Sequence, residues 1–155
     1  MCGRYSTGKV SKKKFEDTLS TELETIPSKY NVSPGQDNPV ITKNKKITTL
    51  SSMRWGLVPN WAKDPNPKIK PINARVETLS EKPSFKDLLF KQRCLIPADG
   101  YYEWQMTGTN KVPHYIHLPD MSTFAFAGIW DNWQRDNCNP LLSYTIITTE
   151  AAEPI

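Results

Sequence analysis

Chemistry starts at residue 2. Met1-Cys2-Gly3-Arg4-Tyr5 sets a small side chain behind the initiator methionine, which permits that methionine to be removed. Cys2 would then carry a free α-amine and a thiol, a 1,2-aminothiol. The amine can condense with an aldehyde, after which the neighbouring sulfur closes a five-membered thiazolidine ring. Ordinary pKa values of about 8 for an α-amine and about 8.5 for a thiol leave part of each group nucleophilic at neutral pH. With both on one residue, ring closure is intramolecular and has a large effective concentration. The same terminus could instead attack an amide carbonyl. An ordinary terminus with a buried thiol is the third reading, and these five residues alone do not separate the three.

The elements that must position Cys2 follow from pattern. Tyr5 to Thr7 reads as the end of a short strand. Ser11 suits an N-cap, and Phe15, Leu19, Leu23 and Ile26 fall on one face of a helix running to about Glu24, ended by Pro27. Tyr30 to Gly35 is a turn-rich connector. Val40 to Thr42 and Ile47 to Leu50 read as strands, the second extending toward Trp55, with Lys43-Asn44-Lys45-Lys46 as a solvated hairpin tip. The Trp-Pro segment from Trp55 to Trp61 is too broken for a regular element. Ile72 to Glu77 reads as extended, and Ser84 as the cap of a second helix with Phe85, Leu88 and Leu89 inward. Strands follow at Cys94–Pro97, Gly100–Trp104, His114–Leu118, Thr123–Trp130 and Ser143–Thr149. Thr107–Asn110 reads as a turn, and a polar loop is expected around Asp136 and Asn137. The sum is α+β: a mainly antiparallel curled sheet or open β-barrel with flanking helices.

Composition narrows the class. At 155 residues the chain suits one domain with a closed core, and 37% hydrophobic with 23% charged residues excludes a disordered polyelectrolyte. Thirteen prolines against seven glycines predict rigid loops of the kind that carry sites. A net charge of +4 permits a polyanionic partner without requiring one. No stretch approaches the roughly 18 apolar residues of a membrane span, and no basic-then-apolar leader is seen. Cys2, Cys94 and Cys138 form neither a C-x-x-C pair nor an even set, so no disulfide framework, metal or cofactor is expected and a reducing cytoplasm is. Monomer is the default.

Six segments stand in an order that closely resembles one family: Met1–Tyr5; Tyr30-Asn31-Val32-Ser33-Pro34-Gly35; Trp55-Gly56-Leu57-Val58-Pro59 with Trp61; Ile72-Asn73-Ala74-Arg75-Val76-Glu77-Thr78; Arg93 to Trp104, containing Ala98-Asp99-Gly100-Tyr101-Tyr102-Glu103-Trp104; and Phe126-Ala127-Gly128-Ile129-Trp130. This is the SOS response-associated peptidase (SRAP) family, the abasic-site processing proteins, and the resemblance spans essentially residues 1–155 as a single domain. It implies that Cys2 crosslinks through a thiazolidine to the ring-opened aldehyde of an abasic site in single-stranded DNA, shielding the lesion at the nucleoid. It implies that Asn73 helps to sense the lesion, its amide donating to a sugar or carbonyl oxygen, and that Glu103 stabilises the opened sugar and moves protons. From the residues alone, Asn73 could equally form a turn and Glu103 face solvent from a strand. DNA contact is expected from Arg4 and Arg75, whose guanidinium forks suit phosphate, and more weakly from Lys82. Trp61 and Pro34 are expected to form an apolar wedge against the bases, while Trp55, Trp104 and Trp130 are expected in the core.

Two departures and two rivals accompany the resemblance. The family's second catalytic group, the histidine of a His-x-Arg-Met-Pro-like stretch, is not reached before Ile155, so the domain is expected to be truncated at its C-terminus and to crosslink poorly. His114 and His117 do not match that stretch and read as strand residues, one packed and one exposed. A retained Met1 would acylate the Cys2 amine and forbid the thiazolidine; its autocatalytic removal is a companion expectation. The rivals are an N-terminal-nucleophile thiol hydrolase, either peptidase or glutamine amidotransferase, and a non-catalytic single-stranded DNA-binding module.

Overall fold

Alternation along Ile47–Trp55 and the β-branched run Thr145-Ile146-Ile147-Thr148 set the pattern of the structure, a computed structural model describing residues 2–135 and 139–150. Met1, Cys138, the loop expected around Asp136 and Asn137, and the tail 151–155 lie outside the described residues. The elements are β1 (Arg4–Ser6), α1 (Lys12–Leu19), β2 (Asp37–Asn44), β3 (Ile47–Trp55), β4 (Asn73–Arg75), α2 (Lys86–Lys91), β5 (Arg93–Ala98), β6 (Gly100–Thr107), β7 (Asn110–Ile116), β8 (Phe124–Trp133) and β9 (Leu141–Thr148).

The curled sheet expected from sequence curls far enough to close. β3-β2-β5-β8-β9 run antiparallel neighbour to neighbour, and β9 returns to β3 in parallel at Arg54↔Ser143 and Trp55↔Tyr144. Farther along the same edge of β9, β4 pairs in parallel from Asn73↔Ile146 to Arg75↔Thr148. A second sheet, ordered β1-β6-β7, lies apart in pairing. Val40, Met53, Trp55, Cys94, Ile96, Tyr144 and Ile146 form one buried cluster with Cys2, Tyr5 and Val32, so the N-terminus packs with residues of the barrel strands. Two smaller clusters bring in the helices: Phe15 of α1 with Leu23 and Ile41, and Phe85 and Leu88 at α2 with Leu57, Ala74, Leu79 and Ile129.

Helix α1 is shorter than its apolar spacing predicts. Ser11 caps it as expected, its Oγ accepting from Lys14 N at 3.3 Å, but the helix stops at Leu19, where Ser20 turns left-handed at φ 50°. Thr18, Ser20 and Thr21 are poor helix formers, and the Glu16 carboxylate draws Leu23 N to 2.9 Å, so the chain bends while Leu23 still reaches the Phe15 cluster. Helix α2 begins at Lys86 without a side-chain cap, so Ser84 does not play the role expected of it, although Phe85 and Leu88 are buried. The extended segment from Ile72 tightens into a 3-10 turn at Val76–Thr78.

The β6–β7 hairpin departs most from expectation. β1 covers β6 only from Gly100 to Tyr102, so the ladder beyond Glu103 continues as two strands with no third neighbour among the described residues. Trp104 is therefore 43% exposed, not core, whereas Trp55 is buried and Trp130 is half-buried against the main cluster. His114 on β7 and His117 just past its end are both exposed, where one was expected to be packed.

Candidate functional site

Cys2 sits at the junction of the barrel core and the β1-β6-β7 sheet, only 6% exposed. Its thiol lies 3.6 Å from the Arg4 carbonyl, donating to it. Burial pushes the thiol up from an ordinary 9.0 to about 12; the Arg4 hydrogen bond opposes the rise and the Glu103 charge adds to it. At pH 8 such a thiol is about 0.01% ionised, against about 9% for an unshifted one. The sequence expectation of a partly ionised thiol is thus corrected by desolvation.

Asn73 is brought to Cys2 by β4. Its Nδ2 donates to the Cys2 carbonyl at 2.9 Å, 71 residues away along the chain. The backbone around it is fixed on both sides: Trp55 Nε1 and Ile146 N both donate to the Ile72 carbonyl, at 2.9 and 3.1 Å. With Nδ2 committed, Asn73 Oδ1 is a buried acceptor without a hydrogen-bond partner among the described residues. An acceptor left open beside Cys2 can take a donor from a bound molecule.

Glu103 is half-buried one step beyond the β1–β6 pairing, where its charge acts on both the Cys2 thiol and the Tyr101 hydroxyl. Tyr101, held above its ordinary pKa by burial first and then by Cys2 and Glu103, packs against the cluster that contains Cys2. Cys2, Asn73, Tyr101 and Glu103 therefore share one neighbourhood. A Cβ at Gly100 would fall 2.3 Å from the Tyr115 ring, so a larger residue there would have to displace that side chain. Tyr115 in turn donates to the buried Asp99 carboxylate at 3.2 Å, and Asp99 also accepts from Lys9 N. In the Ala98-Asp99-Gly100 stretch, then, Asp99 ties the hairpin to the N-terminal loop, while Glu103, farther along β6, stands where its charge reaches the Cys2 thiol.

The expected DNA contacts are placed less uniformly. Arg4 is half-buried, its Nη1 donating to Asn31 Oδ1 at 2.9 Å, so the connector motif orients the guanidinium. Arg75, at the exposed end of β4, lies two residues beyond Asn73. Pro34 is exposed on a turn pinned to the end of β3, with Gly35 N donating to the Trp55 carbonyl at 2.8 Å. Trp61 is 62% exposed on a loop that is otherwise tied down. In that loop Val58 N donates to Ser143 Oγ, Asn60 N to the buried Asp131 carboxylate, and Trp133 Nε1 to the Ala62 carbonyl, at 2.8, 2.7 and 2.8 Å. The loop is a rigid mount for one projecting indole. Lys82 is exposed before α2, its Nζ 6.0 Å from the Phe85 ring centroid, and no contact ties it to Cys2.

Sequence reasoning missed the polar floor of the site. Tyr5 and Tyr144 share a hydrogen bond at 2.8 Å in the core, and Asn38 Nδ2 reaches Tyr144 Oη at 3.4 Å. Trp55 stacks on Tyr144 at 6.4 Å and meets Tyr5 edge-on at 5.2 Å. Periodicity marks such residues as core and carries no signal that their hydroxyls pair. Among the described residues, no three His, Cys, Asp or Glu side chains gather as a metal site, and no helix is long and apolar enough to cross a membrane.

A closed five-stranded barrel whose second residue is a cysteine, held by an asparagine from β4 and faced by a glutamate from an accessory hairpin, defines a narrow class of protein. The family model for the SOS response associated peptidase (SRAP) matches residues 1–155, and the chain belongs to that family. It is 44% identical over 162 residues to the abasic site processing protein YoqW of Bacillus subtilis (strain 168), covering 99% of this chain and 70% of that protein. It is 31% identical over 171 residues to the abasic site processing protein HMCES of Xenopus tropicalis, covering 91% of this chain and 51% of that protein. A crystal structure of a protein from Bacteroides thetaiotaomicron superposes with a TM-score of 0.83 at 30% identity, covering 96% of this chain and 68% of that one.

Proposed function

We propose that this chain, after removal of Met1, captures the ring-opened aldehyde of an abasic site in single-stranded DNA as a thiazolidine on Cys2. The observation that carries the reading is the convergence of Asn73 and Glu103 on Cys2: one side chain on its carbonyl at 2.9 Å, the other acting on its thiol. The relatives' names, abasic site processing proteins, support the substrate class.

Burial of the thiol supports an order of events. Desolvation keeps the sulfur protonated, so the α-amine that removal of Met1 frees, ordinarily near 8, is the group ready to add first. Amine addition forms a carbinolamine, loss of water gives the imine, and sulfur then closes on the same carbon from within the residue. A thiol hydrolase needs sulfur to attack first, and burial of Cys2 disfavours that order. Glu103 is the group placed to move protons in both steps. Asn73 Oδ1, open beside Cys2, suits a hydroxyl of the opened sugar. Arg4 and Arg75 suit the flanking phosphates, with Lys82 farther out, and the exposed Trp61 and Pro34 suit the neighbouring bases.

The test is a denaturing gel of purified protein with abasic and intact single-stranded oligonucleotides. A shifted band with the abasic strand alone, lost in Cys2→Ala, is the expected result. Equal non-covalent binding of both strands with no stable band would return the chain to the simple binding modules, and ammonia release from glutamine would assign it to the amidotransferases.

A further inference from the structure

The register of the β6–β7 hairpin sets a second titratable side chain against Glu103. Glu103 and His114 are direct cross-strand partners, so their side chains leave the same face of the ladder. Directly opposed residues in an antiparallel pair have Cβ atoms about 4.5–5.5 Å apart, within which a carboxylate and an imidazole meet directly or through one water. This face also bears Tyr101, which packs against the core cluster containing Cys2. Exposure grades outward from Cys2, which is buried, through half-buried Glu103 to exposed His114. The order runs from the nucleophile to solvent.

We propose that His114 is the positioning residue that exchanges protons between Glu103 and solvent during thiazolidine formation. The inference rests on the crosslinking reading given above and deepens it. The carbinolamine hydroxyl leaves as water only on gaining a proton, which Glu103 must hold as a carboxylic acid. The His114 imidazolium supplies that proton to the carboxylate, and the loss of water leaves an iminium. The thiol proton passes to the Glu103 carboxylate as sulfur adds to the iminium carbon, and His114 then recovers it from Glu103. In the balance, the C=O bond is broken, one C–N and one C–S bond form, one water departs, and nothing is oxidised or reduced.

On this face of the ladder the neighbours of the pair are uncharged side chains. On β6, the neighbours diagonal to His114 are Tyr101 and Gln105; on β7, Val112 and Ile116 flank it on the same face. β7 is the edge of its sheet, so Glu103 and Tyr101 are the titratable groups facing His114 from the ladder. His117 lies outside this arrangement. Its ring centroid is 5.5 Å from Tyr115, which leaves the opposite face with Tyr102, and its Nδ1 lies 2.7 Å from the Leu118 carbonyl.

The test is single-turnover crosslinking to an abasic oligonucleotide by protein with Met1 removed, followed across pH for wild type, His114→Ala, His114→Gln and His117→Ala. His114→Ala and His114→Gln are expected to slow adduct formation by about 10-fold, less than the roughly 100-fold or more for loss of the direct proton-transfer group, with added imidazole restoring most of the His114→Ala rate. His117→Ala is expected to match wild type. Wild-type rates in both His114 variants at every pH, or a defect that imidazole does not relieve, would overturn the proposal while leaving crosslinking itself intact. Absence of any adduct with wild type would instead remove the reading on which it rests. His114 is exposed, so its substitution leaves the packed core untouched.

Discussion

Replacing Glu103 by Gln is expected to make the Cys2 thiol more reactive and the crosslink slower, two effects of opposite sign from one charge. The thiol is held near 12 by burial first; the Arg4 carbonyl pulls it down, and the Glu103 charge, the weaker of these two, pushes it up. A net hydrogen bond is worth about 0.5–1.5 kcal/mol, so deleting the charge lowers the thiol by less than about one pKa unit. The thiolate fraction then rises by up to about 10-fold, and the alkylation rate by up to about 3–4-fold, because nucleophilicity falls with pKa. Burial remains, so Cys2 in the variant still reacts far more slowly than in the unfolded chain, where an unshifted thiol is ionised about a thousandfold more at pH 8. Crosslinking loses its proton-transfer group and falls by about 100-fold or more. Both rates are accessible on one sample: iodoacetamide labelling of the Cys2 peptide by mass spectrometry, and adduct formation on a denaturing gel. Alkylation that slows or stays unchanged in Glu103→Gln would refute the electrostatic coupling, and unchanged crosslinking would refute the catalytic role.

Other consequences follow from the same geometry. Trp61→Ala should leave the melting temperature unchanged, since the loop is held by backbone contacts to Ser143 and Asp131, yet weaken single-strand affinity by about 1–3 kcal/mol in a fluorescence titration. Tyr144→Phe strands the buried Tyr5 hydroxyl and should cost about 1–3 kcal/mol in urea unfolding. Cys94, like Cys2, is raised by burial from 9.0 to about 12, so in that window the unfolded chain has lost a proton that the folded chain keeps. Stability present below pH 9 should therefore drain as pH rises toward 12, and the drain should be shallower in Cys94→Ala by on the order of 1–2 kcal/mol near pH 10.5. Parallel pH slopes for the variant and wild type would contradict this.

The fold was legible where local pattern and tertiary need coincide. Strand positions from Ile47 to Trp55 and from Ser143 to Thr148 follow from alternation and β-branching, and the curl follows from their number. Closure was not legible, because it depends on two parallel register pairs between β3 and β9, Arg54↔Ser143 and Trp55↔Tyr144, far apart in sequence, which no periodicity reports. Helix α1 misled by spacing alone, since Leu19 and Leu23 keep their apolar register across a left-handed Ser20. At the site, motif resemblance named Cys2, Asn73 and Glu103, which the structure brings into one neighbourhood, and the structure adds what motifs omit. Burial suppresses the thiol, Asn73 presents an open acceptor, and a hairpin outrunning its third strand leaves Trp104 and His114 in solvent.

The central claim is that both nitrogen and sulfur of Cys2 bond to one sugar carbon. Intact-mass measurement of the product formed by Met1-free protein with an abasic oligonucleotide, without any reductant, tests it most directly. The account predicts one species whose mass is protein plus oligonucleotide minus one water, in which Cys2 yields neither a free amine nor an alkylatable thiol. A product with no water lost, or one whose Cys2 thiol still takes iodoacetamide, would contradict it.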